Sequence, residues 1–163
     1  MEFLRVGWQE AADMCMELAG RVAKSGYAPD LIVGISRGGL VPARILSDEL
    51  HIRGLYTIKI EFYKDIAKTG DFPEVKQSLP EGVLEGKKVL LVDDVSDTGR
   101  SLAVAKDHVK RLGAADVRIA VLHEKPQTIT KPDYVIGSTE AWVVYPWEVR
   151  ETEKKTGKKV SEL

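Results

Sequence analysis

The sequence predicts an α/β fold, a mostly parallel sheet flanked by helices, in a single domain spanning 1–163. Three observations predict it. Leu31-Ile32-Val33 and Val89-Leu90-Leu91-Val92 are unbroken apolar runs, the pattern of strands buried on both faces. Each is followed by a glycine-containing loop, a stretch with helical spacing and a further β-branched run, which is the grammar of a βαβ unit. The chain of 163 residues is one domain's length and can bury a sizeable core without disulfides. No internal repeat, linker or second domain is visible.

In chain order, Trp8, Ala11, Ala12, Cys15, Leu18, Ala19 and Val22 recur at helical spacing and predict a helix over 8–22. Cys15 lies on its apolar stripe, which reads as packing rather than catalysis. Leu31 to Val33 is the first buried strand and Gly34 to Gly39 a tight loop. Leu40, Ala43, Leu46 and Leu50 mark a helix that tolerates Pro42 in its first turn. Leu55 to Ile60 completes the unit as a strand. In the second unit Val89 to Val92 is the strand, and Leu102, Ala105, Val109 and Leu112 mark the helix. Gly113 is its stop, and Val117 to Leu122 is the following strand. Between the units, Phe62 to Lys87 mixes glycines, prolines and charges without a convincing period. Such a long loop in a compact domain is a lid, disorder or a misassigned element. Beyond Pro132, residues 133–149 read as one or two short strands carrying aromatics.

Composition narrows the function classes. The chain is 44% hydrophobic and 30% charged, which fits a soluble globular protein. The net charge of −1 gives no global field toward nucleic acid. The one Lys-rich tract, Lys154-Lys155-Thr156-Gly157-Lys158-Lys159, reads as a solvated, frayed tail, with a nucleic-acid contact as the rival reading. Cys15 is the single cysteine, so no intramolecular disulfide forms, and a reducing, cytoplasmic setting is expected. No apolar run approaches the roughly 20 residues of a membrane span. The start, MEFLRVGWQE, carries acids and no apolar signal core, so no targeting segment is expected.

The chemistry concentrates in VLLVDDVSDTGRSL, Val89 to Leu102. Ligands of parallel α/β sheets bind at the carboxyl ends of strands, where Asp93 and Asp94 stand. The loop Ser96 to Ser101 leads into a helix whose N-terminal N–H groups and partial positive charge suit a phosphate. Gly99 lets the backbone approach; Thr98 and Ser101 add hydroxyl donors. Asp93 and Asp94 only accept, so they suit sugar hydroxyls, or a Mg²⁺ held through oxygen or water. The motif asks for a phosphate beside a vicinal diol, the layout of a ribose 5-phosphate. Capping of strand and helix accounts for one of the three acids, and poorly for all three with the glycine.

This stretch resembles the phosphoribosyl-pyrophosphate signature of type I phosphoribosyltransferases. GISRGGLVPARIL resembles the pyrophosphate loop of the bacterial xanthine-guanine branch, and LHEKP followed by AWVVYPWE resembles that branch's purine pocket. The resemblance covers most of the chain. It implies a small hood built from the N- and C-terminal segments (the latter about 126–150) and a mobile lid over about 62–87. It implies that Asp93 and Asp94 hold the ribose hydroxyls, Asp93 also meeting Mg²⁺, the family's cofactor. By the same resemblance Ser96, Asp97, Thr98, Gly99, Arg100 and Ser101 cradle the 5′-phosphate, and Asp97 is the catalytic residue that shuttles a proton at purine N7. Ser36, Arg37 and Gly38 bind pyrophosphate, with a cis peptide between Ser36 and Arg37. The partners implied are phosphoribosyl pyrophosphate, a purine base and further copies of the chain, as dimer or tetramer. Neither nucleic acid nor membrane is among them.

The same branch places Lys125 against the purine C6 substituent. An ammonium only donates, so it accepts a 6-oxo group and turns away a 6-amino group, favouring hypoxanthine, guanine or xanthine over adenine. Without the resemblance, a lone lysine there reads as solvated. Trp142 stacks on the base in this branch, with Trp147 as competitor and a core tryptophan as the plain alternative. Val143 and Glu148 stand where backbone carbonyls read the purine 2-position. His51, His108 and His123 show no metal-ligand spacing among themselves or with Cys15; His51 and His108 read as structural or solvated, and His123, two residues from Lys125, is close enough in sequence to border the pocket but is not counted among its residues. The lid resembles the branch only at its start, Phe62-Tyr63-Lys64-Asp65. The expected activity is therefore transfer of a 6-oxopurine onto phosphoribosyl pyrophosphate. The alternative is a phosphoribosyl-pyrophosphate-binding transcriptional regulator of the same fold; about 30 residues before the first strand leave too little room for an added DNA-binding domain. A phosphoacceptor receiver domain fails because its acidic dyad follows the first strand. A P-loop enzyme fails because no G-x-x-x-x-G-K-[ST] occurs.

Overall fold

A computed structural model describes residues 2–64 and 71–162. The chain opens with strand β1 (Phe3–Arg5) and helix α1 (Trp8–Lys24). Strand β2 (Leu31–Ser36), helix α2 (Leu40–Glu49) and strand β3 (Leu55–Lys64) form the first βαβ unit. Strand β4 (Asp71–Gln77) follows, then β5 (Lys88–Ser96), α3 (Arg100–Arg111) and β6 (Asp116–Glu124) as the second unit. Strands β7 (Tyr134–Ser138) and β8 (Trp142–Val144), helix α4 (Val149–Thr156) and a 3₁₀ turn (Val160–Glu162) close the chain. Six strands form the main sheet in the order β4-β3-β2-β5-β6-β7, parallel except for β4, which runs antiparallel to β3 at the edge. Strands β1 and β8 pair in parallel as a separate small sheet, so both ends of the chain build the hood.

The two central strands are apolar throughout because both their faces are covered. In β5, Leu90 and Val92 face the cluster formed with α1 and α2, among Cys15, Leu18, Val22 and Leu46. Val89 and Leu91 face the opposite cluster with Leu102, Ala105 and Val109 of α3. This alternation with period two carries beyond the apolar run and decides where the acids point. Cys15 is fully buried, and burial pushes its thiol up to about 12, so it packs and does not react. Among the described residues no helix is long and apolar enough to cross a membrane.

The segment expected as a loop over 62–87 is mostly ordered structure. Strand β3 runs on to Lys64, and β4 returns beside it with Phe62 opposite Pro73. Pro73 hid this strand from the sequence; an edge position tolerates its missing N–H. Residues 81–86 form turns in which Leu84 is buried under α3, so this part belongs to the body of the domain. Asp65, at the start of the expected lid, lies with residues 66–70 outside the described residues. The Lys-rich segment is likewise not a frayed tail. Lys154 and Lys155 occupy the last turn of α4, where cations suit the helix dipole, and Gly157 ends the helix with φ 68°. Val160 then folds back into the protein, 5% exposed. The sheet strand expected to end at Val92 extends to Ser96.

Candidate active site

The carboxyl ends of β2, β5 and β6 meet at one edge of the sheet, and the loops that leave them carry the motif residues. Strand β2 ends in the turn Arg37–Gly39, with the Ser36–Arg37 peptide cis. A Cβ on Gly39 would fall 2.4 Å from the carbonyl oxygen of Val92, and one on Gly38 would fall 2.4–2.6 Å from the Asp94 carboxylate. Only glycines let this loop lie against β5.

Because β5 continues to Ser96, its adjacent acids point to opposite faces of the sheet. Asp93 faces the α3 side and lines a cavity of about 140 Å³ with Phe62, Ser96, Thr98, Gly99 and Ser101. Asp94 points to the hood side and is 4% exposed. Its Oδ1 accepts from the Val95 N–H at 2.8 Å, and its Oδ2 accepts from Trp147 Nε1–H at 3.1 Å. The sequence reading gave both acids ribose hydroxyls and Asp93 alone the metal; the strand sends the two to different faces. Burial, then mutual repulsion, holds the Asp93 carboxyl well above the usual carboxylate range. Burial also raises Asp94, against the hydrogen bond from Trp147.

Gly99 initiates α3 with φ 79°, a left-handed conformation, and a Cβ there would meet Thr128 Oγ1 at 2.4 Å. The loop after β6 packs onto this turn. The Ile129 N–H donates to the Thr98 carbonyl at 3.0 Å, and the Lys125 N–H donates to the Ser96 carbonyl at 2.8 Å. Ser96 turns its hydroxyl inward to Thr128 Oγ1 at 2.7 Å. Arg100 does not line the cavity, whereas Ser101, one residue on, does.

A second cavity, about 110 Å³, is lined by Val95, Asp97, Lys125, Trp142, Val143 and Glu148. Asp97 and Val95 line both cavities, so Asp97 stands on the wall between them. Gln127, which the sequence did not single out, donates from Nε2 to Asp97 Oδ1 at 3.3 Å. Lys125 is buried rather than solvated, and its Nζ donates to the Ala141 carbonyl. That leaves the ammonium two further protons to donate. Trp142 is 43% exposed at the cavity. Trp147 does not line it: its ring stacks on Tyr145 at 4.9 Å with 6° between planes, and its N–H is taken by Asp94.

A third cavity, about 300 Å³, adjoins the β2 loop and is lined by Arg37, Gly38, Leu40, Val41, Trp147, Glu148 and Glu151. Arg37 forms an ion pair with Glu151, which Lys155 also holds at 2.8 Å. Glu148 borders the second and third cavities; burial, then the nearby Asp94 and Glu151, push its carboxyl up to about 7. His123 is buried, its Nδ1 2.7 Å from the Tyr145 hydroxyl, and burial lowers its basicity. His108 instead meets the Ser78 hydroxyl at 2.7 Å, away from the site.

The chain is similar to known proteins. The model of the phosphoribosyl transferase domain matches residues 7–154. A purine phosphoribosyltransferase from Pyrococcus horikoshii Ot3 is 40% identical, with 90% of this chain and 95% of that chain covered and a TM-score of 0.83. Two further structures share the fold at lower identity. A Neisseria gonorrhoeae protein solved with bound ppGpp is 24% identical, covering 97% and 99% of the two chains, with a TM-score of 0.79. A xanthine-guanine-hypoxanthine phosphoribosyltransferase from Helicobacter pylori is 20% identical, covering 94% and 99%, with a TM-score of 0.76.

Proposed function

Because the chain belongs to the type I phosphoribosyltransferase family, purine branch, we propose that it joins a 6-oxopurine to phosphoribosyl pyrophosphate, releasing pyrophosphate and a nucleoside monophosphate. One observation carries this reading. Asp97 lines both a cavity at a helix N-terminus, with hydroxyls of Thr98 and Ser101, and a cavity bearing a tryptophan and a buried lysine, which is the order in which a nucleotide places its sugar phosphate and its base.

The residues divide the work. Thr98, Gly99 and Ser101, with the N-terminal turn of α3, take the 5′-phosphate. Ser96 and Arg100 shape that turn from either side. Asp93 accepts from the ribose hydroxyls, and Asp94 completes the acidic pair from behind. Arg37, with Ser36 and Gly38, receives the leaving pyrophosphate, whose charge grows as its bond to ribose C1 breaks and the bond to the purine nitrogen forms. Asp97 moves a proton at N7, its carboxylate held by Gln127. Lys125 donates to the 6-oxo group, Trp142 covers the base, and the carbonyls of Val143 and Glu148 meet the 2-substituent.

The donor set at Asp93 suits Mg²⁺. A half-buried carboxyl raised by burial and by a second acid is one that a hard cation relieves. Among the described residues no three acids, histidines or cysteines converge as a metal cluster, so Asp93 would share the ion with substrate oxygens and water. Bound there, Mg²⁺ supplies charge neutralisation for the pyrophosphate. The buried thiol of Cys15 fits a cytoplasmic setting, and we expect a homo-oligomer.

A transfer assay tests the proposal. With Mg²⁺ and phosphoribosyl pyrophosphate, product is expected from hypoxanthine, guanine or xanthine, and none from adenine, uracil or orotate. Product from adenine would overturn the role given to Lys125. Tight binding of phosphoribosyl pyrophosphate without product from any base would favour the regulator.

A further inference from the structure

We propose that Trp147 and Tyr145 are positioning residues that act through Asp94, so that the C-terminal segment aims the acidic pair and the pyrophosphate loop together. The inference rests on the functional reading above, and adds the hood to the machinery that handles the sugar phosphate.

Asp94 is a three-way junction. On one side its carboxylate lies so close to Gly38 that a methyl group could not be added there. On another, Trp147 Nε1–H donates to Oδ2 at 3.1 Å. On the third, the Tyr145 hydroxyl donates to the Asp94 carbonyl at 3.0 Å. The phenol has one proton, and the carbonyl takes it. The neighbouring His123 Nδ1, 2.7 Å away, must therefore carry its own proton and donate to the phenol oxygen. His123 thus holds Tyr145, Tyr145 holds the Asp94 backbone, and the parallel Tyr145 and Trp147 rings hold each other.

Three of the four residues are shielded, and Trp147 is half-buried. Tyr145 is fully buried, Asp94 is 4% exposed and His123 7% exposed. A donor removed from a shielded carboxylate is not replaced by bulk water. The carboxylate must then rotate toward a remaining donor or the hood must shift, and either motion is felt at Gly38 and at Asp93, the residue before it. The third cavity, shared by Arg37, Gly38 and Trp147, is where that movement would be read.

Trp147→Phe tests this, since it keeps the ring stack and deletes the N–H. Three readouts are needed: affinity for phosphoribosyl pyrophosphate by calorimetry, steady-state KM for each substrate, and hydrogen exchange at the Gly39 and Leu40 amides. These amides donate to the Ile35 carbonyl at the end of β2 and to the Arg37 carbonyl in the loop, at 2.9 and 3.1 Å. We expect phosphoribosyl-pyrophosphate affinity to fall roughly tenfold, the size of one charge-assisted hydrogen bond. The base KM should stay within about twofold, and the loop amides should exchange faster. In a double-mutant cycle with Asp94→Asn the losses should be non-additive, because both variants break one junction. Additive losses, or unchanged affinity and unchanged loop exchange, would overturn the proposal. Tyr145→Phe tests the second arm with the same readouts and the same refuting result. If the wild-type protein binds no phosphoribosyl pyrophosphate, the functional reading falls; the exchange data then decide the junction on their own, with unchanged loop exchange refuting it.

Discussion

Replacing Glu148 by Gln should stabilise the ligand-free protein, and by an amount that depends on pH. The carboxyl of Glu148 is displaced from 4.5 to about 7, by burial first and then by Asp94 and Glu151. The folded state therefore keeps a proton that the unfolded chain releases. Below pH 4.5 the group is neutral in both states and costs nothing. As pH rises from 4.5 toward 7, folding must retain that proton, and stability falls; above about 7 the loss is complete. At about 1.4 kcal/mol per pH unit, the full displacement is worth about 3 kcal/mol at pH 8 and less than about 1 kcal/mol at pH 5. Glutamine keeps the shape and cannot ionise. Urea denaturation of both proteins at pH 5 and pH 8 should show the variant's advantage growing by about 2 kcal/mol between them. In thermal scans at pH 8 the full displacement corresponds to a Tm gain on the order of 6–12 °C for a chain of this size. Asp93 and Asp94 titrate in the same direction but are present in both proteins, so they drop out of the difference to first order. A stability difference that does not change between pH 5 and pH 8 would refute the reasoning, since it would mean that Glu148 ionises as freely as a solvated side chain.

Other predictions follow from the site. Asp97→Ala should lower kcat by about 10²- to 10³-fold, within the range of general acid–base catalysis, while phosphoribosyl-pyrophosphate affinity changes only a few-fold; intact turnover would remove Asp97 from the chemistry. Gly38→Ala should abolish phosphoribosyl-pyrophosphate binding measured by calorimetry, because its methyl group would overlap the Asp94 carboxylate at 2.4–2.6 Å. Glu151→Gln frees Arg37 from its ion pair and should tighten pyrophosphate product inhibition a few-fold, with little change in fold stability, since exposed pairs contribute about 0–1 kcal/mol. Lys125→Gln should narrow the preference for hypoxanthine over adenine in competition assays, because an amide can accept as well as donate.

Much of this protein was legible before any coordinates. Two apolar runs, two glycine-containing loops and two helical periods are local signals that each demand a βαβ unit, and the structure contains both in that order. The edge strand β4 was not legible, because Pro73 and the charges around it give no apolar alternation. Helix α4 was hidden by its lysines, whose cost is offset by the helix dipole and, for Lys155, by the ion pair with Glu151.

The sequence by itself determined which chemical groups are present near the carboxyl end of β5: three acids, a glycine turn and hydroxyl donors within ten residues. Those follow from covalent order alone. The tertiary structure decided how the groups are divided. Strand alternation, carried past the apolar run, sends Asp93 to one face and Asp94 to the other. Long-range packing brings Gln127 to Asp97, Glu151 to Arg37, and Trp147 to Asp94 rather than to the cavity beside Lys125. Such partners are separated by 30 residues in one case and more than 50 in the others. Periodicity reports only a residue's own face of its own element, whereas these contacts depend on how distant elements are laid against one another.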